Sequence, residues 1–191
     1  SGGYITVTGT NGNFLNATNV SDGSIDNDGL ITIAGNWTNN AANNVFINPN
    51  AAGRVLLNGT ALQTYGGTKD TYFEKLTINN SAGVTMAIGA QVSDSLQLTS
   101  GAVALNSNTL TITSATGSAI SRNTGYLVSE QTNNSGQVTW NIGSTTGAHT
   151  IPFGSAAGVY IPLVLDLTAG NIGNVTVSTY TTALDNTPYP T

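Results

Sequence analysis

His149 is the only histidine in this 191-residue chain, and so the only side chain whose ordinary pKa suits general-base work near neutral pH. A nucleophilic triad would set it beside Asp166 and one of the many serines. Such a triad needs a nucleophile held on a strained turn, and the chain has no G-x-S-x-G elbow. On a strand, His149 reads as a surface or partly buried pair-former. The densest acidic stretch is Asp22-Gly-Ser-Ile-Asp26-Asn-Asp28-Gly29. Oxygen ligands at alternate positions followed by glycine suit a Ca²⁺ loop, yet no glutamate closes the set at the twelfth position. It reads as a polar turn, with no metal. Asp70, Glu74 and Asp94 would supply the paired carboxylates of a polysaccharide-degrading site if one face gathered them. A uronate substrate also needs cations, and the chain has only Arg54, Lys69, Lys75 and Arg122. Lys69 and Lys75 bracket Asp70 and Glu74 as solvated ion pairs would. Trp37 and Tyr65 are candidates for stacking on a sugar, although Trp37, after Gly35-Asn36, also suits corner packing. Trp140 shares a strand face with Val138 and belongs to a core. No catalytic residue, metal ligand or cofactor site is expected, and the chain is not read as an enzyme.

The elements that would position these residues are short strands on a long repeat. Leu76-x-Ile78 returns as Leu96-x-Leu98, and upstream as Val55-x-Leu57 and Ile31-x-Ile33, at steps of 24, 21 and 20 residues. Further alternating runs lie between them: Val45-x-Ile47, Val84-x-Met86-x-Ile88, Val103-x-Leu105 and Leu110-x-Ile112. Period-2 strands repeating near twenty residues predict stacked β-coils. Corners are expected at Asn58-Gly59, Gly66-Gly67, Asn79-Asn80 and Ser100-Gly101, where the residue types tolerate a left-handed backbone. No stretch carries helical periodicity over three turns. After Gly125 the texture changes to strands at Tyr126–Val128, Val138–Trp140, His149–Ile151, Ile161–Leu165 and Val175–Tyr180, separated by polar turns. That spacing predicts antiparallel pairing. The expected fold is all-β: a right-handed parallel β-solenoid over residues 1–124, then a small antiparallel β-sandwich over 125–191, short of the usual number of strands.

Composition bounds the function class. Only 7% of residues are charged, against roughly 25% in ordinary globular domains. The net charge is −5, with no basic patch, so nucleic acid is not an expected partner. There are no cysteines, hence no disulfides and no thiolate chemistry. No apolar run approaches the roughly 20 residues of a membrane span. Low charge and abundant Asn, Thr and Gly point to an extracellular location.

Phe73-Glu-Lys-Leu-Thr-Ile-Asn-Asn80, Gly83-Val-Thr-Met86, Leu96-Gln-Leu-Thr-Ser-Gly101 and Asn108-Thr-Leu-Thr-Ile112 resemble the coil module of large secreted surface proteins of Bacteroidota. Gly125-Tyr126, Trp140-Asn-Ile-Gly143, Thr150-Ile-Pro-Phe-Gly154, Tyr160-Ile-Pro162 and Pro188-Tyr-Pro190 are similar to the segment that often follows it. The resemblance implies an adhesin-like or fibre-forming protein of the cell surface, exported by the type IX route. Asp94-Ser95-Leu96 is similar to the O-glycosylation signal of the same organisms, which makes Ser95 a candidate glycan attachment point.

The expected function is therefore an extracellular structural or adhesive protein, a subunit that self-associates through β-strand edges. The alternatives are a carbohydrate-binding module and a polysaccharide-degrading solenoid. The assembly strand is expected at Tyr4, Ile5, Thr6, Val7 and Thr8, which alternate and follow a Ser-Gly-Gly leader.

Overall fold

The structure, a computed structural model, describes residues 4–9, 12–17, 25–41, 45–47, 52–131 and 135–179. The Ser-Gly-Gly leader, Asp22 and the Pro188-Tyr-Pro190 ending lie outside them.

The described residues wind through six successive coils, with three strands to each. The first coil is β1 (Tyr4–Val7), β2 (Phe14–Asn16) and β3 (Ile25–Asp26). The second is β4 (Leu30–Ile33), β5 (Trp37–Asn39) and β6 (Phe46–Ile47). The third is β7 (Arg54–Leu57), β8 (Gln63–Gly67) and the first half of β9 (Thr71–Asn79). The fourth takes the rest of β9, β10 (Val84–Met86) and the first half of β11 (Ala90–Ser100). The fifth takes the rest of β11, β12 (Ala102–Ala104) and β13 (Thr109–Ile112). The sixth is β14 (Ile120–Arg122), β15 (Tyr126–Val128) and β16 (Gln137–Gly143). Three further strands follow: β17 (Gly147–Ile151), β18 (Leu163–Leu167) and β19 (Gly173–Val177).

Pairing between coils is parallel, as a solenoid requires, and the register follows the apolar pairs. Ile31 lies beside Val55, Val55 beside Leu76, Leu76 beside Leu96 and Leu96 beside Ile120. Ile33, Leu57, Ile78 and Leu98 make the second row of this face. The second face stacks Phe14, Trp37, Tyr65 and Met86, and beside them Gln63, Val84, Val103 and Leu127. The third stacks Phe73, Val92, Ile112 and Trp140. Because side chains alternate along a strand, one register slip would turn a whole row outward. The rows converge on one apolar interior, where a void of only about 20 Å³ remains among Leu57, Tyr65, Leu76, Val84, Leu96 and Leu110. That is room for a single water at most.

The solenoid continues past residue 124. Tyr126–Val128 pairs in parallel with β12, and Gln137–Trp140 in parallel with β13. Among the described residues, antiparallel pairing, expected throughout the C-terminal segment, joins only β16 with β19, β17 with β18, and Gly154 with Tyr160 in a single bridge. The expected sandwich is thus present only in part. Strand alternation reports which face is buried and says nothing of the partner's direction, so parallel rungs and antiparallel strands look alike in sequence.

The corners also differ from expectation. Of the predicted corner residues, only Gly67 and Gly101 are left-handed, with φ of 130° and 81°. At Gly101 a Cβ would sit 1.8 Å from the Asn80 carbonyl oxygen, so glycine also permits the coils to approach. The asparagines act instead through their amides. Asn80 Nδ2 donates to the Ala61 carbonyl at 2.7 Å and to Gln63 Oε1 at 2.9 Å. Gln63 in turn donates to the Ile33 and Gly35 carbonyls and accepts from the Gly59 amide. Asn106 and Asn108 both donate to the Met86 carbonyl. These bonds cross from coil to coil and satisfy corner carbonyls that the ladders leave over.

Candidate functional site

The two ends of a parallel stack are where its backbone stays available for partners. At the first coil, β1 and β2 each end their sheets, and β3 pairs only with β6. Their outward edges have no strand beside them among the described residues. Phe14 stacks on Trp37 with ring centroids 3.9 Å apart, which anchors β2 to the coil above. Ile5 pairs in register with the buried Ile31, so it points toward the core line, yet it is 53% exposed because no rung covers it. Leu15 is exposed as well, on the outer side of β2. Among the described residues 4–17 there is no charged side chain, so the edge lacks the lysines that commonly guard such strands.

The opposite end is roofed. The Leu127 amide donates to the Pro152 carbonyl, and the Gly154 amide donates back to the Leu127 carbonyl, both at 2.9 Å. Ile142, Ile151 and Phe153 close over the last coil and are fully buried. β19 covers the edge of β16. Arg122 donates to the Gly125 and Thr124 carbonyls and lies 3.9 Å over the Tyr160 ring.

His149 belongs to this roof. It is completely buried; Nδ1 lies 2.9 Å from the Gly147 carbonyl oxygen and Nε2 lies 2.9 Å from that of Ala115. The Trp140 ring meets it edge-on at 5.1 Å and donates its own N–H to the Ser114 carbonyl. Asp166 pairs with Ala148 and faces the other side of the hairpin, so the two halves of the imagined triad point apart. The histidine pins the hairpin to the Ser114–Ala115 loop.

The remaining candidates scatter. Trp37 and Tyr65, expected to meet a sugar, are 0% and 2% exposed and offer no ring face to a glycan. Trp37 Nε1 donates to Thr71 Oγ1 at 3.0 Å. The Tyr65 hydroxyl donates to the Gly89 carbonyl and accepts from the Thr71 amide. Desolvation by burial pushes the Tyr65 phenol up to about 12, its Thr71 hydrogen bonds pulling the other way. Glu74 is buried, and its Oε2 accepts the Gly53 amide at 2.7 Å. Asp94 pairs with Lys75 at 3.6 Å. The acids near Asp70 therefore do not converge on a cleft. Asp26 and Asp28 are exposed, and no trio of His, Asp or Glu comes together among the described residues. Ser95 sits half-buried in β11, opposite Lys75. No helix is long and apolar enough to cross a membrane.

Sequence reasoning missed two structural features. One is the coil-to-coil amide network of Gln63 and Asn80; Gln63 at an inward strand position was its signal. The other is the exposed strand β18, hidden inside a run read as a sandwich element. No protein-family model matches this chain, no curated protein matches it, and no solved structure matches it.

Proposed function

We propose that this chain is an extracellular structural or adhesive protein that acts without catalysis and joins copies through open β-strand edges. The observation that carries this reading is the first coil, where β1 and β2 end their sheets with no strand on the outward edge among the described residues and carry no charged side chain. The likeness to type IX-exported surface proteins of Bacteroidota belongs to the same proposal. So does a right-handed winding, the hand that parallel crossovers take. Fibre formation would have Tyr4–Thr8 supply main-chain hydrogen bonds to an open edge of a neighbouring copy, with Ile5 and Val7 on the core side.

Truncation of residues 1–8 only moves the bare edge to β4, so a substitution tests the reading better. Ile5→Lys places a charge at the end of the apolar row without touching any filled position. The intact chain should form fibres at high concentration, seen by negative-stain microscopy, and the variant should remain folded and dispersed. Fibres from the variant, or none from the intact chain, would remove the first coil as connector.

A further inference from the structure

We propose that β18 is a homodimerisation edge, on which Leu163–Leu167 pairs antiparallel with the same strand of a second copy about a two-fold axis at Leu165. This goes beyond the first-coil reading, since it concerns the other end of the molecule and holds whether or not fibres form.

The hairpin is a two-stranded sheet of β17 and β18 only. Its β17 side is occupied: His149 bonds Ala115, and a Cβ on Gly117 would lie 2.3 Å from the Ala148 carbonyl oxygen. β18 is therefore the outer strand, and no third strand pairs with it among the described residues. Along it the burial alternates. Leu163, Leu165 and Leu167 are half-buried against the core, while Val164, at 53% exposed, and Asp166 face outward.

A two-fold axis at Leu165 makes this strand complementary to itself. Leu165 meets its own copy, Leu163 meets Leu167, and Val164 meets Asp166. Residues directly opposed in an antiparallel pair share a face, so the three leucines of each copy join into one apolar row. Each Asp166 lies beside a valine, and no like charges are opposed. Moving the axis to Asp166 would oppose the two carboxylates and leave Leu163 outside the ladder. One register is favoured, as an isologous contact requires.

The surroundings favour a second copy as occupant. Among the described residues, five of the eight exposed large apolar side chains lie between residues 159 and 172: Val159, Tyr160, Ile161, Val164 and Ile172. A groove of about 90 Å³ beside β18 is lined by Ile142, Leu165, Asp166, Leu167 and Ile172. No lysine or arginine follows Arg122 in the sequence, so the β17–β18 hairpin itself carries no cation, and Arg122 lies over the Tyr160 ring. Pro162 stops the strand where the symmetric ladder ends. The described chain does not fill the groove: β19 leads away from Gly143 to Thr179, which bonds Ser129 at the far end of β16.

The test is a pair of opposite charges at one exposed position, read by sedimentation velocity of the full chain over a concentration series. Val164→Asp puts a carboxylate against Asp166 of the second copy, twice per dimer, and should weaken dimerisation at least about tenfold, equivalent to ~1.4 kcal/mol. Val164→Lys puts a cation there and should leave the dimer as tight or tighter, with the gap between the two variants shrinking in high salt. Ile5→Lys should leave the dimer intact. A wild-type chain that stays monomeric to about 1 mM, or two Val164 variants that behave alike, would overturn the proposal. Loss of the dimer in Ile5→Lys alone would also overturn it and would assign self-association to the first coil.

Discussion

The two ends of this solenoid solve the same problem in opposite ways. Every parallel stack leaves a rung of backbone groups and a slice of core at each end. At the last coil, the segment from β17 to Phe153 folds back, Leu127 exchanges hydrogen bonds with it, and Phe153 plugs the core. At the first coil, Ile5 stands over Ile31 with no strand above it among the described residues. The same sheets continue to both ends, so the difference lies in the added segments and not in the coils. A roofed end covers its slice of core, while a bare end leaves backbone groups and apolar side chains exposed.

The largest expected effect tests the roof against the open coil. Phe153→Ala should cost about 3–5 kcal/mol, because it empties a fully buried site between coil and roof. Phe14→Ala should cost roughly half as much, since one face of its stack on Trp37 is already at the surface. Denaturant melts of the two variants would compare them directly. Equal losses would mean that the first coil is as firmly packed as the last, and the contrast would fail.

The middle of the stack sets the scale for both ends. Leu96→Ala, flanked by Leu76 and Ile120, should cost about 2–5 kcal/mol. Thr99→Ala, half-exposed at the end of the same strand, should fall within about 0.5 kcal/mol of the parent. Similar values at both positions would show the register to be wrong.

A smaller effect, near 3 kcal/mol at most, comes from Tyr65. Its folded pKa of about 12 lies above the ordinary value of 10.0, so the unfolded chain ionises first. The stability it contributes is complete below pH 10 and is lost as pH rises from about 10 to 12. Tyr65→Phe should flatten that part of the stability curve. A curve unchanged by the substitution would mean that the phenol is not held in the core. Since Tyr65 belongs to the middle coils, the loss should strike before either end is specifically affected.

Much of the solenoid was legible in sequence because Val55, Leu76 and Leu96 recur in rows that neighbouring coils must match. The C-terminal rungs were not legible as such. Leu110 and Val138 are register partners, but 28 residues separate them, and the longer loop masks the repeat. The roof was hidden because an alternating strand carries no mark of its partner. The sugar-stacking candidates failed on packing: a tryptophan after Gly35-Asn36 suits a surface aromatic and a corner plug equally, and contact with Phe14 and Phe73 makes it a plug.

Successive coils are held by ladders that run along the stack, and this has a mechanical side. Force applied at the first coil loads β1 against β4 alone, so the chain should peel like adhesive tape and not shear all rungs at once. Each coil released would lengthen the tether by roughly 70–90 Å, the extended span of one repeat. The long strands β9 and β11, each shared by two coils, should halt the peeling there, and single-molecule stretching would record them as the highest steps. Pulled from the bare end, the protein would behave as a ratcheted shock absorber that gives way coil by coil and keeps its roofed end shut until last.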